Sequence, residues 1–161
     1  MWIILFSIAL AISFVYLNAV PYLRLKDFLK AQAESGRTFT RLNDAKVWVS
    51  IQVAMILFSI ILGIIDRQNE STVAIAIALT GSFGGNIFAA QVNRCLYYNE
   101  SGFIMGNKYI PYKSVKDFER KRGVLRIVDV TTYSGERGKM TPGCANMVRT
   151  QKEAREKRKE K

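Results

Sequence analysis

The chain has 161 residues, 49% of them hydrophobic, and a formal charge of +11, which leaves room for one compact unit or for a membrane bundle with a small soluble appendage. It contains two cysteines and no histidine, so the commonest general base and metal ligand is missing and histidine-dependent catalysis is excluded. The apolar residues gather in three blocks within the first 93 residues, and none of these blocks carries a charged side chain.

The first block covers residues 1–20, with only Ser7, Ser13, Tyr16 and Asn18 as polar members. Twenty helical residues rise about 30 Å, the thickness of a bilayer core. A cleaved signal peptide would begin with a basic region and a shorter apolar run, whereas here no Lys or Arg precedes Arg24. The block is therefore expected to be a retained span, with Pro21 kinking or restarting the helix where it leaves the membrane. In residues 22–33, Tyr22, Leu25, Phe28, Leu29 and Gln32 follow helical spacing, with Arg24, Lys26 and Lys30 on other faces. This segment reads either as an amphipathic helix on the inner membrane face or as an extension of the first span, ending near Gly36.

The second block, 47–65, is expected to start from an Asn43 or Asp44 cap, with Trp48 at interface depth. The third, 72–92, is expected to start from Ser71 and is the most polar, holding Thr80, Ser82, Asn86 and Gln91. Gly81, Gly85 and Ala89 recur every fourth residue and form a small-residue ridge, the pattern that lets transmembrane helices approach closely. Ser7/Ala11 and Ser59/Gly63 repeat the spacing in the other spans. The ridge is expected either to pack on the protein's own helices or to dock a protein partner or a second copy through the third span. Asn86 is expected to form an interhelical hydrogen bond, because an unpaired amide is costly in hydrocarbon. No ionisable group lies within a span, which argues against an ion-coupled transporter acting alone.

Lys and Arg number none before Arg24, six in the loop 24–46, one between residues 66 and 70, and seventeen from residue 94 onward. The positive-inside rule then predicts a multi-pass protein of the plasma (inner) membrane, N-terminus outside and C-terminus cytoplasmic. Cys95 and Cys144 would both face the reducing side and are expected to be free thiols.

Residues 94–132 change character. Aromatic and β-branched runs at 95–98, 103–105, 109–112 and 124–131 alternate with turn signals at 99–102, 106–108 and 121–123. They predict a small cytoplasmic antiparallel β meander; 114–121 reads as either a strand or a helical turn. The order YYNESGFIMGNKYIPYKSVKDFERKRGVLRIVDV, with Ile110-Pro111-Tyr112-Lys113-Ser114-Val115 at its centre, resembles the opening strands of bacterial pleckstrin-homology-like domains. In layout the chain also resembles a small family of three-span bacterial membrane proteins (YobD-like), in which a sheet follows the third span directly. The resemblance implies a partial pleckstrin-homology-like half-barrel, completed by membrane, partner or another copy, and it transfers no catalytic residue. Tyr109, Tyr112, Lys113 and Lys116 are the expected interaction surface.

Residues 133–161 read as a basic loop and tail: 133–143 as loop, and 147–161 as a solvated helix or disordered tail charged on all faces. Its charge suits anionic lipid head groups, and without interleaved aromatics it does not suit nucleic acid. No catalytic, cofactor-binding or metal residues are assigned. The glycine-rich run 81–86 lies in a span and lacks a phosphate-binding Lys, and Asp117 and Glu119 sit among Lys116, Arg120 and Lys121. Cys95, next to the third span, is a candidate for acylation. The expected role is a non-enzymatic interaction or regulatory module at the inner leaflet. The alternative is an accessory subunit of a transporter or envelope complex, a class that includes bacteriocin-immunity proteins.

Overall fold

The computed structural model describes residues 1–121 and 127–159. Its elements run α1 (Trp2–Glu34), β1 (Thr40–Asn43), α2 (Lys46–Ile65), α3 (Glu70–Asn93), β2 (Cys95–Tyr98), β3 (Gly102–Met105), β4 (Lys108–Pro111), β5 (Val115–Lys121), β6 (Ile127–Thr132), β7 (Arg137–Met140) and α4 (Pro142–Lys159). They form two compact units, one from residues 1–24 and 45–92, the other from 25–44 and 93–161.

The first unit is helical, and α1, α2 and α3 are each long and apolar enough to cross a membrane. The protein is thus a membrane protein built of three apolar helices followed by antiparallel β-structure, the architecture the sequence predicts. Pro21 neither kinks α1 into two elements nor restarts it: the helix runs unbroken to Glu34. Proline removes one backbone donor, and the good helix formers on either side carry the chain past that gap. Residues 22–33 are therefore the extension of the first span. The helix ends as a Schellman motif, with Gly36 N–H donating to Ala33 O (2.9 Å) and Arg37 N–H to Gln32 O (3.0 Å). The motif needs a left-handed residue, supplied by Gly36 at φ 80°.

Both expected helix caps are corrected. The N-cap of α2 is Ala45, which makes no side-chain cap bond. Asn43 is occupied as the last residue of β1, and the Asp44 N–H donates to Arg94 O (3.1 Å). The cap of α3 is Asn69 instead of Ser71: its side-chain oxygen accepts from Ser71 N–H (3.1 Å) and Thr72 N–H (3.4 Å). Asp66 accepts from the Thr72 hydroxyl (2.7 Å) and closes the short α2–α3 link. The Met1 ammonium pairs with Glu70 at the start of α3, so α1 and α3 run parallel and α2 runs against them.

The helical unit is inside-out relative to a water-soluble bundle. On α2, Gln52 and Ser59 are buried while Ile51, Leu57, Phe58, Ile61, Ile64 and Ile65 are exposed, as befits a surface solvated by lipid. Three polar side chains of the helices are satisfied within their own helix: Ser59 donates to Met55 O (2.8 Å), Ser13 to Ala9 O (2.8 Å) and Asn18 to Phe14 O (2.8 Å).

The second unit contains two antiparallel sheets, four-stranded in the order β1-β2-β3-β4 and three-stranded in the order β5-β6-β7. Its sheet is larger than the meander expected at 94–132. β1 comes from the loop before α2 and pairs with β2, placing Arg41 opposite Tyr97 and Leu42 opposite Leu96. β7 forms inside the stretch read as loop and pairs with β6, Val130 opposite Gly138. Both strands are short and polar, so neither carries a hydrophobic period of its own, and each forms because a neighbour offers its edge. The open choice at 114–121 resolves into a 3-10 turn at Tyr112–Ser114 followed by strand β5. The predicted turn at 122–123 and the start of the run at 124–126 lie outside the described residues.

One core joins the two sheets and α4: Leu96, Phe103, Ile110, Tyr112, Val115, Val128, Val130, Met140, Cys144, Ala145 and Val148. α4 corrects the solvated-tail expectation. Cys144, Ala145 and Val148 are buried, and Lys152 and Arg155 continue the same stripe. Lys152 donates to Val115 O (2.9 Å) and Arg155 to Ser101 O (2.8 Å), while the Arg149 guanidinium lies 5.3 Å over the Phe118 ring. The helix reads as charged all round because its inner stripe switches after Val148 from apolar side chains to long cationic ones that cap backbone carbonyls.

Candidate functional site

Two faces hold the residues singled out by sequence, one in each unit. In the helical unit, the glycine ridge of α3 is filled by α1. A Cβ at Gly81 would sit 2.3 Å from Ala11 Cβ and 2.5 Å from Ala11 Cα, and one at Gly85 would sit 2.7 Å from the Phe14 ring. Gly63 of α2 likewise faces Ala76 at 3.0 Å. Of the two uses foreseen for the ridge, internal packing is the one these close approaches represent. Ala89 and Asn86 are half-buried. Asn86 makes no side-chain hydrogen bond among the described residues, so the interhelical bond expected of it is not formed. The polar group that sequence reading missed is Gln52, buried in α2, whose side-chain oxygen has no partner among the described residues.

Beside the ridge the three helices leave an apolar groove of about 700 Å³. Small residues, among them Ala11 and Ala19 of α1 and Gly63 of α2, line it together with larger apolar side chains such as Val15, Ile60 and Ile77.

In the sheet unit, the four expected surface residues are not brought together. Tyr112 is 1% exposed, within the core, stacked near Phe103 (5.8 Å between ring centroids) with its hydroxyl donating to Asn99 O (3.0 Å). Tyr112 lies two residues after buried Ile110, so the alternation of β4 carried one step further puts it on the core face. Lys113 and Lys116 are exposed, and Tyr109 belongs to a different cluster.

That cluster covers the outer face of the four-stranded sheet. Strand register puts Arg41, Tyr97, Ile104 and Tyr109 in one cross-strand row, of which Ile104 is buried, opposite in pleat to the row of Thr40, Tyr98, Phe103 and Ile110 and to the pair Leu42 and Leu96. The Arg37 guanidinium lies 4.9 Å over the Tyr109 ring, Phe39 meets the same ring edge-on at 6.1 Å, and Arg41 lies 5.9 Å over Tyr97. Arg37 and Arg41 are exposed. Sequence reading singled out only Tyr109 of this face; Tyr97 and Ile104 were read as strand residues without a surface role, and Arg37, Phe39 and Arg41 sit in a segment with no periodicity. The Gly36 helix stop followed by alternating Phe39/Arg41 is the signal that was present.

Burial pushes the Cys144 thiol pKa up, and burial, together with the neighbouring Tyr109, pushes the Tyr112 hydroxyl well above the ordinary tyrosine range. Both groups thus stay neutral in the core. Cys95 and Cys144 are free cysteines; the Cys95 thiol lies 3.4 Å from the Asn43 side-chain oxygen and 3.4 Å from Arg41. Among the described residues, no cluster of three or more His, Cys, Asp or Glu side chains could hold a metal. In comparisons with protein-family models, curated proteins and solved structures, nothing matches this chain.

Proposed function

We propose that the chain is a non-enzymatic, membrane-anchored interaction module of the plasma (inner) membrane, with its sheet unit working at the cytoplasmic leaflet. The carrying observation is a sheet unit with its own core and its own closing helix, joined to three apolar helices. The count of seventeen Lys and Arg from residue 94 onward supports the N-out, C-in orientation and a preference for acidic partners. Four strands, three strands and a packed C-terminal helix also support reading this unit as a pleckstrin-homology-like barrel, with α2 and α3 inserted between its first two strands. The test is photocrosslinking in intact cells from exposed Lys113 and Lys116, together with a reporter fused after Lys161 that is active only in the cytoplasm. The expected result is a cytoplasmic signal with discrete protein or lipid adducts. A signal from the far side of the membrane, or no adduct from either position, overturns the reading.

The groove favours a second reading, an accessory subunit or homo-oligomer that receives a further helix. With the Gly81/Gly85 ridge filled by α1, the small lining residues Ala11, Ala19 and Gly63 are where another helix would pack. Filling it with Ala19→Leu should abolish co-purification of a partner or second copy while membrane insertion persists; unchanged co-purification removes this reading.

A further inference from the structure

We propose that two copies of this chain pair in the membrane along one seam of α3, formed by Ile75, Leu79, Ser82, Asn86 and Ala89, through mutual hydrogen bonding of their Asn86 carboxamides. The pairing goes beyond the proposed reading and needs only that the helices span a membrane. The five positions repeat at intervals of four and three residues, the seam spacing of paired helices. Neither neighbouring helix is centred on that seam. α1 meets α3 at Gly81 and Gly85, and α2 meets it at Ala76. At about 100° per residue the seam is centred about 100° from each of these contacts, with the groove-lining Val73, Ile77 and Thr80 on the opposite side. The buried residues of α3 are Ala74, Ala76, Gly81, Gly85 and Ala90, so none of the five is buried, and Ile75 is exposed.

The two polar members of the seam indicate what it faces. Ser13, Ser50 and Ser59 each donate to the carbonyl four residues earlier in their own helix, and Asn18 does the same. The Ser82 hydroxyl and the Asn86 carboxamide make no such bond, nor any other hydrogen bond among the described residues. Asn86 lies seven residues before the end of a 24-residue helix, about 10 Å inside it, where an unanswered amide is costly. A lipid chain offers neither donor nor acceptor.

A second copy supplies both by symmetry. Copies inserted with the same orientation bring Asn86 to the same depth on parallel helices. A carboxamide both donates and accepts, so a pair related by a two-fold axis answers both amides at once. Ser82 and Ala89, one turn to either side on the same seam, are small enough to let the two backbones approach.

The experiment uses the full-length protein in a mild detergent, followed by sedimentation equilibrium at varied detergent-to-protein ratio. Wild type should be a dimer that dissociates as micelles are added. Asn86→Val should weaken the dimer about tenfold, the scale of the two hydrogen bonds of a symmetric pair. Asn86→Gln, which keeps the carboxamide, should retain most of the affinity. Thr80→Val, which removes a hydroxyl from the opposite side of α3, should change it less than twofold. Independently of any folding defect in these variants, a photoreactive side chain at Leu79 should give an adduct of twice the chain mass in intact membranes, and one at Ile77 should not.

A monomeric wild type, or a dimer indifferent to Asn86→Val, overturns the proposal. Equal weakening by Asn86→Val and Asn86→Gln, or by Thr80→Val, overturns the hydrogen bond as its basis. A Leu79 adduct of another mass reassigns the seam to a different protein, and lipid adducts alone leave it facing the bilayer; either result overturns the second copy as its occupant. A dimer lost in Ala19→Leu yet intact in Asn86→Val moves self-association to the groove. Each of these failures leaves the interaction-module reading of the sheet unit in place.

Discussion

The sharpest consequence of the helical packing is a contrast between two neighbouring glycines on α3. Gly81→Ala introduces a methyl group 2.5 Å from Ala11 Cα and 2.3 Å from Ala11 Cβ, well inside van der Waals contact with backbone that has no flexible end to give. Helices α1 and α3 must separate by about 1 Å to restore ordinary carbon–carbon spacing, and overpacking of this kind costs about 1–3 kcal/mol. Gly84→Ala introduces the same methyl 3.9 Å from Val15, an ordinary van der Waals distance. It should cost nothing, and the helix-propensity gain could reach about 1 kcal/mol. Both tryptophans, Trp2 and Trp48, lie in the helical unit, so their fluorescence during equilibrium SDS titration in mixed micelles reports on this unit. Ala11→Gly in the Gly81→Ala background removes the overlap with the Ala11 methyl but leaves the clash with its backbone, so it should restore only part of the loss. Equal effects at Gly81 and Gly84, or a neutral Gly81→Ala, would refute the close α1–α3 approach.

Asn69→Ala removes the cap of α3 and should lower helical-unit stability by about 1 kcal/mol in the same titration, whereas Ser71→Ala should have little effect. Val148→Ala opens a cavity in the sheet-unit core and should cost about 2 kcal/mol, read by urea unfolding with near-ultraviolet dichroism of the tyrosines. Loss of less than about 0.5 kcal/mol would return α4 to the status of a solvated tail. Maleimide should label half-buried Cys95 well before buried Cys144. Because burial raises the Cys144 pKa, the unfolded chain releases that proton first as pH climbs past the ordinary thiol value of about 8.5. Sheet-unit stability should therefore fall above that pH and be insensitive to this group below it, and Cys144→Ser should flatten the slope.

Much of the fold is legible in the sequence for reasons tied to particular segments. The uncharged blocks at 1–20, 47–65 and 72–92 leave the chain no alternative to three long helices, because only a helix satisfies its own backbone in hydrocarbon. Ile127–Thr132 shows its role through alternation, and every second residue, Val128, Val130 and Thr132, is buried as that alternation requires. Thr40–Asn43 and Arg137–Met140 were not legible: four-residue polar strands have no period to detect and form on edges supplied by residues 50 or more positions away, or across a hairpin. Tyr112 was misplaced because a tyrosine followed by Lys113 reads as surface, although it lies two residues after Ile110 on the core face.

The sequence by itself determined the medium and the material of each part: which segments are apolar enough to cross a bilayer, which are basic, and which can become strands. Tertiary structure alone decided the partners. Whether Gly81 meets lipid, a second copy or Ala11 depends on how the helices rotate about their axes, and small-residue spacing is the same in all three cases. Whether Arg37 and Arg41 are scattered loop charges or members of one stacked face depends on β1 adding to β2, a pairing made by backbone hydrogen bonds that any residue can offer. Whether the last helix is solvent-exposed or closes the core depends on Val148, Lys152 and Arg155 falling on one stripe against a sheet whose own edges lie far apart in the chain.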